Sequence, residues 1–236
     1  MKKTLLINGK TINLYLTDNL AKAMPIVYLN LYQGDGHEIW EQCMELPDCP
    51  DFTLAAIGDI DWDHEMTPWE TAPIFPGDTT YAGRADSYLE LLQNTIIPEI
   101  VSTLSTQLSI QPLYHALAGY SLGGLFTAYA AYRTDFFTRF ASMSGSLWYP
   151  GFSKYAQIHT LAGVPDCFYL SLGAAESHTR NKVLAEVEKN TRQFSEHLSE
   201  LNIPTILEIN PGNHYRDAAL RTAKGIHWML SCPQKS

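Results

Sequence analysis

Apolar and polar positions along this chain switch repeatedly between two periods. Residues 3–16 alternate on either side of Asn8-Gly9, a pair suited to the left-handed backbone of a two-residue turn, which predicts an antiparallel hairpin. "PIVYLNLY" (25–32), "FTLAAIG" (52–58), "LYHALAG" (113–119), "FASMSG" (140–145), "CFYLSLG" (167–173) and "PTILEIN" (204–210) are short, largely apolar runs bounded by turn residues. That is the pattern of strands buried on both faces. Between them lie segments of helical period at 37–46, 87–104, 122–133, 181–201 and 216–230. In the second of these, Leu89, Leu92, Ile96, Ile100 and Leu104 recur at steps of three and four. Ser87-Tyr88-Leu89-Glu90 reads as the capping box that opens it. Pro98 lies inside the series, and its missing N–H predicts a kink or an early stop.

Strands alternating with helices predict an α/β protein with a mostly parallel central sheet, helices on both faces and the antiparallel hairpin at the N-terminus. The 236 residues, 45% of them hydrophobic, suffice for one core, so 1–236 reads as a single domain. Residues 59–85 break the alternation. This long irregular stretch carries Trp62, Trp69, Phe75 and Tyr81, and it predicts a pocket wall or small cap.

The run "HALAGYSLGGLFTAYAAY" (115–132) carries the candidate chemistry. Gly119-x-Ser121-x-Gly123 lies where an apolar strand gives way to an Ala-rich helix, the setting of a nucleophile elbow. The turn holds the serine in a strained conformation, and the glycines let strand and helix approach closely. A nucleophilic serine needs a base, and the base an orienting acid. In hydrolases with this elbow the chain order is Ser, acid, His. His37, His64 and His115 precede Ser121, His197 and His227 fall within helical segments, and His159 falls on no recognisable site. His214, in the tight "NPGNHYRD" loop after the last strand, is the expected base. Glu176, the first carboxylate after the strand at 167–173, is the expected acid. Asp166 lies at the wrong end of its strand, Glu208 lies inside one, and Asp217 reads as a helix cap. The oxyanion hole is expected from the N–H of Leu122 and from Gly34 or Gly36, between which the sequence does not choose. Trp62, Trp69, Tyr120 and His178 are the expected pocket residues.

Charge narrows the partners. The net charge is −9 with no basic cluster, which argues against nucleic acid. No apolar run is long enough to span a bilayer, so no membrane partner is expected. Asn8-Gly9 interrupts the apolar patch behind Lys2-Lys3, which leaves no continuous signal-peptide core. The four cysteines form no CxxC pair, so reduced thiols and a cytoplasmic location are expected. Asp59, Asp61, Asp63 and Glu70 have the spacing of a calcium loop, but His64 occupies the position that needs glycine. No metal and no cofactor are expected.

"GYSLGG", "SLGAAESHTRN" and "PGNHYRDAALRTAKGI", in this order, resemble the Putative esterase family of α/β-hydrolases, which includes the enterochelin (siderophore) esterases. The resemblance covers about residues 25–230. It implies a serine carboxylesterase with the α/β-hydrolase fold, Ser121 as nucleophile, His214 as base, Glu176 as acid and a small-molecule ester as substrate. An acyltransferase on the same residues, or a hydrolase fold kept as a binding protein, are the alternatives. The sequence specifies no oligomeric state.

Overall fold

Asn8 and Gly9 both take positive φ, 47° and 78°, and fold β1 (Lys2–Ile7) back on β2 (Lys10–Leu16) with Ile7 opposite Lys10. The computed structural model describes residues 1–17, 21–74 and 80–233. Next come β3 (Ala23–Asn30), α1 (His37–Glu45), β4 (Thr53–Ile57) and α2 (Trp62–Glu65). A two-stranded ribbon of β5 (Glu70–Thr71) and β6 (Tyr81–Ala82) precedes α3 (Ala85–Leu91) and α4 (Ile97–Leu108). The remainder runs β7 (Gln111–Tyr120), α5 (Leu122–Ala130), β8 (Arg139–Met143), α6 (Phe152–Ile158), β9 (Cys167–Gly173), α7 (Val187–Glu200), β10 (Thr205–Asn210) and α8 (Ala218–Ser231).

Among the described residues the main sheet has eight strands, in the order β1-β2-β4-β3-β7-β8-β9-β10. Pairing is parallel from β4 to β10, and the hairpin adds the antiparallel edge. Alternate residues feed two cores, as the two-residue period of a strand requires. Ile26 and Tyr28 of β3 pack with Leu89, Ile100, Leu125 and Phe194 on one face. Val27 and Leu29 pack with Cys43, Ile226 and Met229 on the other, beneath α1 and α8. This is the predicted architecture, helices on both faces included. Among the described residues no helix is long and apolar enough to cross a membrane.

Local details differ from expectation in three places. Helix α3 begins at Ala85, so Ser87 is a helical residue and not a cap. Pro98 does not end its helix: a π-helical turn over Leu92–Ile96 joins α3 to α4, and the proline follows it directly as the second residue of α4. The helical run is unbroken from 85 to 108, so the proline nitrogen cannot donate to the preceding turn, and the wider π turn lies where that ladder is interrupted; Leu92, Ile96, Ile100 and Leu104 all stay buried. Asp217 stands at the start of α8 but makes no side-chain capping bond, its carboxylate pairing instead with Arg216.

Candidate active site

At the carboxyl end of β7, central in the parallel sheet, the backbone turns into α5 within one residue. Ser121 makes that turn at φ 58°, ψ −123°, a conformation that side chains rarely adopt. The glycines on either side are required by contact. A Cβ on Gly119 would lie 2.2 Å from the carbonyl carbon and oxygen of Gly123, and one on Gly124 would lie 2.8 Å from Gly145. Strand and helix therefore meet backbone to backbone, with the serine hydroxyl raised at the crest.

His214 arrives from the loop after β10. Its Nε2 is 3.0 Å from Ser121 Oγ, and its Nδ1 is 2.7 Å from Glu176 Oε2. Glu176 follows β9 in a tight turn whose N–H groups bond across to the histidine loop, Ala174 to Asn210 and Ala175 to Gly212. Burial pushes the Glu176 carboxyl up. The hydrogen bond and charge of His214, with the Gly173 N–H and the Ser144 hydroxyl, outweigh that and hold it below the ordinary glutamate range. The carboxylate is thus kept ionised against the imidazole, which favours a proton on Nδ1 and leaves Nε2 to accept one from the serine.

Behind these residues lies a layer that the motifs did not reveal. Arg221 of α8 is 1% exposed. Its Nη1 donates to Glu176 Oε1 (3.4 Å), Ser144 Oγ (3.3 Å) and Tyr120 Oη (3.3 Å), and its Nη2 donates to the Pro211 carbonyl (2.8 Å). Ser146 donates its N–H to the Ser121 carbonyl, and its hydroxyl lies 3.4 Å from Ser121 Oγ. A signal for Arg221 existed: it shares the buried face of "AALRTAKGIHWM" with Gly225 and Met229 at helical spacing, and a charge there demands partners.

Ser121 and His214 open into a cleft of about 840 Å³. Leu122, Gly34 and Gly36, the candidate oxyanion-hole residues, line it, as do Trp62 and Tyr120, and Trp148 and Tyr215 line it unforeseen. Trp69 and His178 do not. Trp69 packs with Tyr129, Tyr149 and Tyr155 and donates to the Pro150 carbonyl, so it anchors the irregular stretch to the core. His178 lies on the acid loop but is exposed and turned away from the cleft. The stretch 59–85 is therefore wall and anchor together: Trp62 lies against the elbow, where a Cβ on Gly123 would come 3.0 Å from its ring. Phe75 lies outside the described residues.

A mostly parallel sheet with this strand order, carrying a strained serine at its centre within reach of a histidine, is the arrangement of the α/β-hydrolase fold, and together with the family match below it defines a serine-hydrolase-type esterase. The sequence matches the family described as Putative esterase over residues 32–205, and the chain belongs to that family. It is 27% identical to the uncharacterized protein YbbA of Bacillus subtilis (strain 168) over 191 residues, covering 79% of this chain and 74% of that one. Its fold is similar to that of an IroE-like serine hydrolase from Shewanella oneidensis (TM-score 0.73, 18% identity, 97% of this chain and 79% of that one). It is also similar to that of the siderophore hydrolase EstA from Aspergillus nidulans (TM-score 0.71, 17% identity, 94% and 89%).

Proposed function

We propose that the protein hydrolyses carboxylic esters of small molecules through an acyl-enzyme, with Ser121 as nucleophile, His214 as general base and Glu176 as the orienting acid. The supporting observation is the unbroken relay Ser121 Oγ–His214–Glu176, with links of 3.0 and 2.7 Å. Ser121 Oγ attacks the ester carbonyl as its proton passes to His214 Nε2. The tetrahedral oxyanion is stabilised by the Leu122 N–H at the start of α5 and by the backbone N–H of Gly34 or Gly36. Collapse breaks the bond to the alcohol, which leaves with the proton from Nε2. Water then attacks the acyl-serine, gives its proton to the same nitrogen, and the acid departs as Ser121 recovers its hydrogen. In scaffold and order of residues the reading is enterochelin-esterase-like, in keeping with the siderophore hydrolase among the structural neighbours.

Ser121→Ala decides the matter. The variant is expected to stay folded while turnover of short p-nitrophenyl esters falls by about 10⁴-fold or more. A fluorophosphonate probe is expected to label the wild type at Ser121 alone. Comparable turnover by the two proteins, or an unlabelled Ser121, would overturn the proposal.

A further inference from the structure

The turn that follows β8 touches both ends of the relay. Ser144 donates its hydroxyl to Glu176 Oε1 (2.7 Å), and Ser146, two residues on, has its Oγ 3.4 Å from Ser121 Oγ. Trp148, two further, lines the cleft. The turn is firmly held. Ser144 takes the left-handed backbone, φ 44°, uncommon for a residue with a side chain, and its N–H donates to the Ser171 carbonyl. A Cβ on Gly145 would lie 2.2 Å from Ser142 Oγ. Asn190 Nδ2 donates to the Leu147 carbonyl (3.0 Å), and the Tyr149 N–H donates to the Ser146 carbonyl (3.0 Å).

Ser146 is 1% exposed, and burying a hydroxyl is costly unless it finds a partner. Among the described residues its hydroxyl has one hydrogen-bond partner, Ser121 Oγ. Each hydroxyl has a single proton to give. Ser121 Oγ lies 3.0 Å from His214 Nε2, the accepting nitrogen of the relay, and its proton is directed there. Ser121 Oγ is therefore the acceptor from Ser146, and Ser146 the donor. The contact is long in the resting site. Catalytic hydrogen bonds commonly tighten only as the reaction proceeds, and a charged acceptor shortens them.

We propose that Ser146 is a further catalytic residue: its hydroxyl donates to Ser121 Oγ and stabilises the negative charge that gathers on that oxygen in both half-reactions. As Oγ bonds to the ester carbon, its own proton passes to His214 Nε2 and the Ser146 hydrogen bond shortens onto the electron-rich oxygen. In the second half-reaction the C–Oγ bond breaks, its electron pair returns to Oγ, and Nε2 gives the proton back. Ser146 supports the same oxygen as it leaves and keeps its own proton throughout. The oxyanion-hole donors meet the former carbonyl oxygen, whereas Ser146 meets the nucleophile itself. The inference rests on the esterase reading for the reaction and on the turn after β8 for the added donor.

Ser146→Ala isolates the hydroxyl, because the alanine N–H still donates to the Ser121 carbonyl. With p-nitrophenyl acetate, the pre-steady-state burst (acylation) and the steady turnover (deacylation) are both expected to slow by about tenfold. Equal slowing of the two steps leaves KM where it was. The pH midpoint of kcat/KM is expected to stay at the wild-type value, because His214 keeps both of its partners. Unchanged rates overturn the proposal. Slower turnover with a shifted midpoint or a raised KM also overturns it, since Ser146 would then act only by positioning the relay or the cleft.

Labelling by a fluorophosphonate separates this result from turnover. The reagent reads the nucleophilicity of Ser121 without deacylation, so it tests Ser146 even if no ester is turned over. The second-order labelling rate of Ser146→Ala is expected to be about tenfold lower than that of the wild type. Equal labelling rates overturn the role of Ser146 while Ser121 remains the nucleophile. A wild type that is not labelled overturns the esterase reading, and this inference with it.

Discussion

The hydroxyl of Tyr120 donates a 2.6 Å hydrogen bond to the backbone carbonyl of His214, 94 positions further along the chain. Tyr120 immediately precedes the proposed nucleophile, so one side chain ties the serine's turn to the loop that carries the proposed base. Arg221 reaches the same hydroxyl and the carbonyl of Pro211, so the bracing extends to the start of the histidine loop.

Removing that tie is expected to affect the chemical step more than binding. Tyr120→Phe keeps the ring in the cleft but frees the His214 carbonyl, so kcat should fall about tenfold while KM changes little. Steady-state kinetics on a neutral p-nitrophenyl ester checks this. A rise in KM with unchanged kcat would make Tyr120 a binding residue only.

Glu176→Gln keeps the shape of the acid and removes its charge. With the carboxylate gone, His214 Nδ1 is no longer held in the productive tautomer, and kcat is expected to drop by about 10³–10⁴. A loss below tenfold would assign the orienting role elsewhere.

The same substitution has a pH signature. The Glu176 carboxyl titrates lower in the folded protein than the ordinary unfolded value of about 4.3. The unfolded chain therefore binds the proton first as pH falls. This group's contribution to stability is complete above the unfolded value and is lost as pH drops through the folded one. Urea denaturation at pH 6 and below about pH 4 should show a smaller acid-induced loss in Glu176→Gln than in the wild type. Identical pH dependence in the two would contradict the assignment.

Arg221 is buried against the acid and three other oxygens. Arg221→Met strips these partners and leaves Glu176 buried with less compensation, at an expected cost of about 3 kcal/mol measured by urea unfolding. Arg221→Lys restores a charge but not the branched set of donors, so it should recover part of the stability and little of kcat. Full recovery of kcat by lysine would mean that charge alone suffices at this position.

Gly119→Ala would place a methyl 2.2 Å from backbone atoms of Gly123 that cannot move without breaking the start of α5. Loss of about 3 kcal/mol or more, or failure to fold, is expected. Thermal unfolding within a degree or two of the wild type would show that strand and helix are not locked at this contact.

The strand at residues 167–173 was readable to the residue because, Ser171 apart, its side chains are largely apolar and every residue of β9 is buried. The serine at 121 was readable because the glycines that make the elbow possible are close in sequence. The irregular stretch was harder, because Trp62 and Trp69 carry the same composition signal yet one faces the cleft and the other the core. His178 misled for a similar reason: nearness in sequence to Glu176 places it on the same loop, but the chain turns it outward.

The sequence by itself determined the α/β alternation, the hairpin, the elbow and the order serine, acid, histidine, because each rests on local periodicity or on backbone constraints within a few residues. Tertiary structure alone decided that the Ser121 hydroxyl meets the His214 imidazole at hydrogen-bonding distance and that Arg221 and Tyr120 brace the loops around them. Those relationships join residues up to a hundred positions apart. Only the parallel pairing of β7, β8, β9 and β10, which brings their carboxyl ends to one edge, places them together.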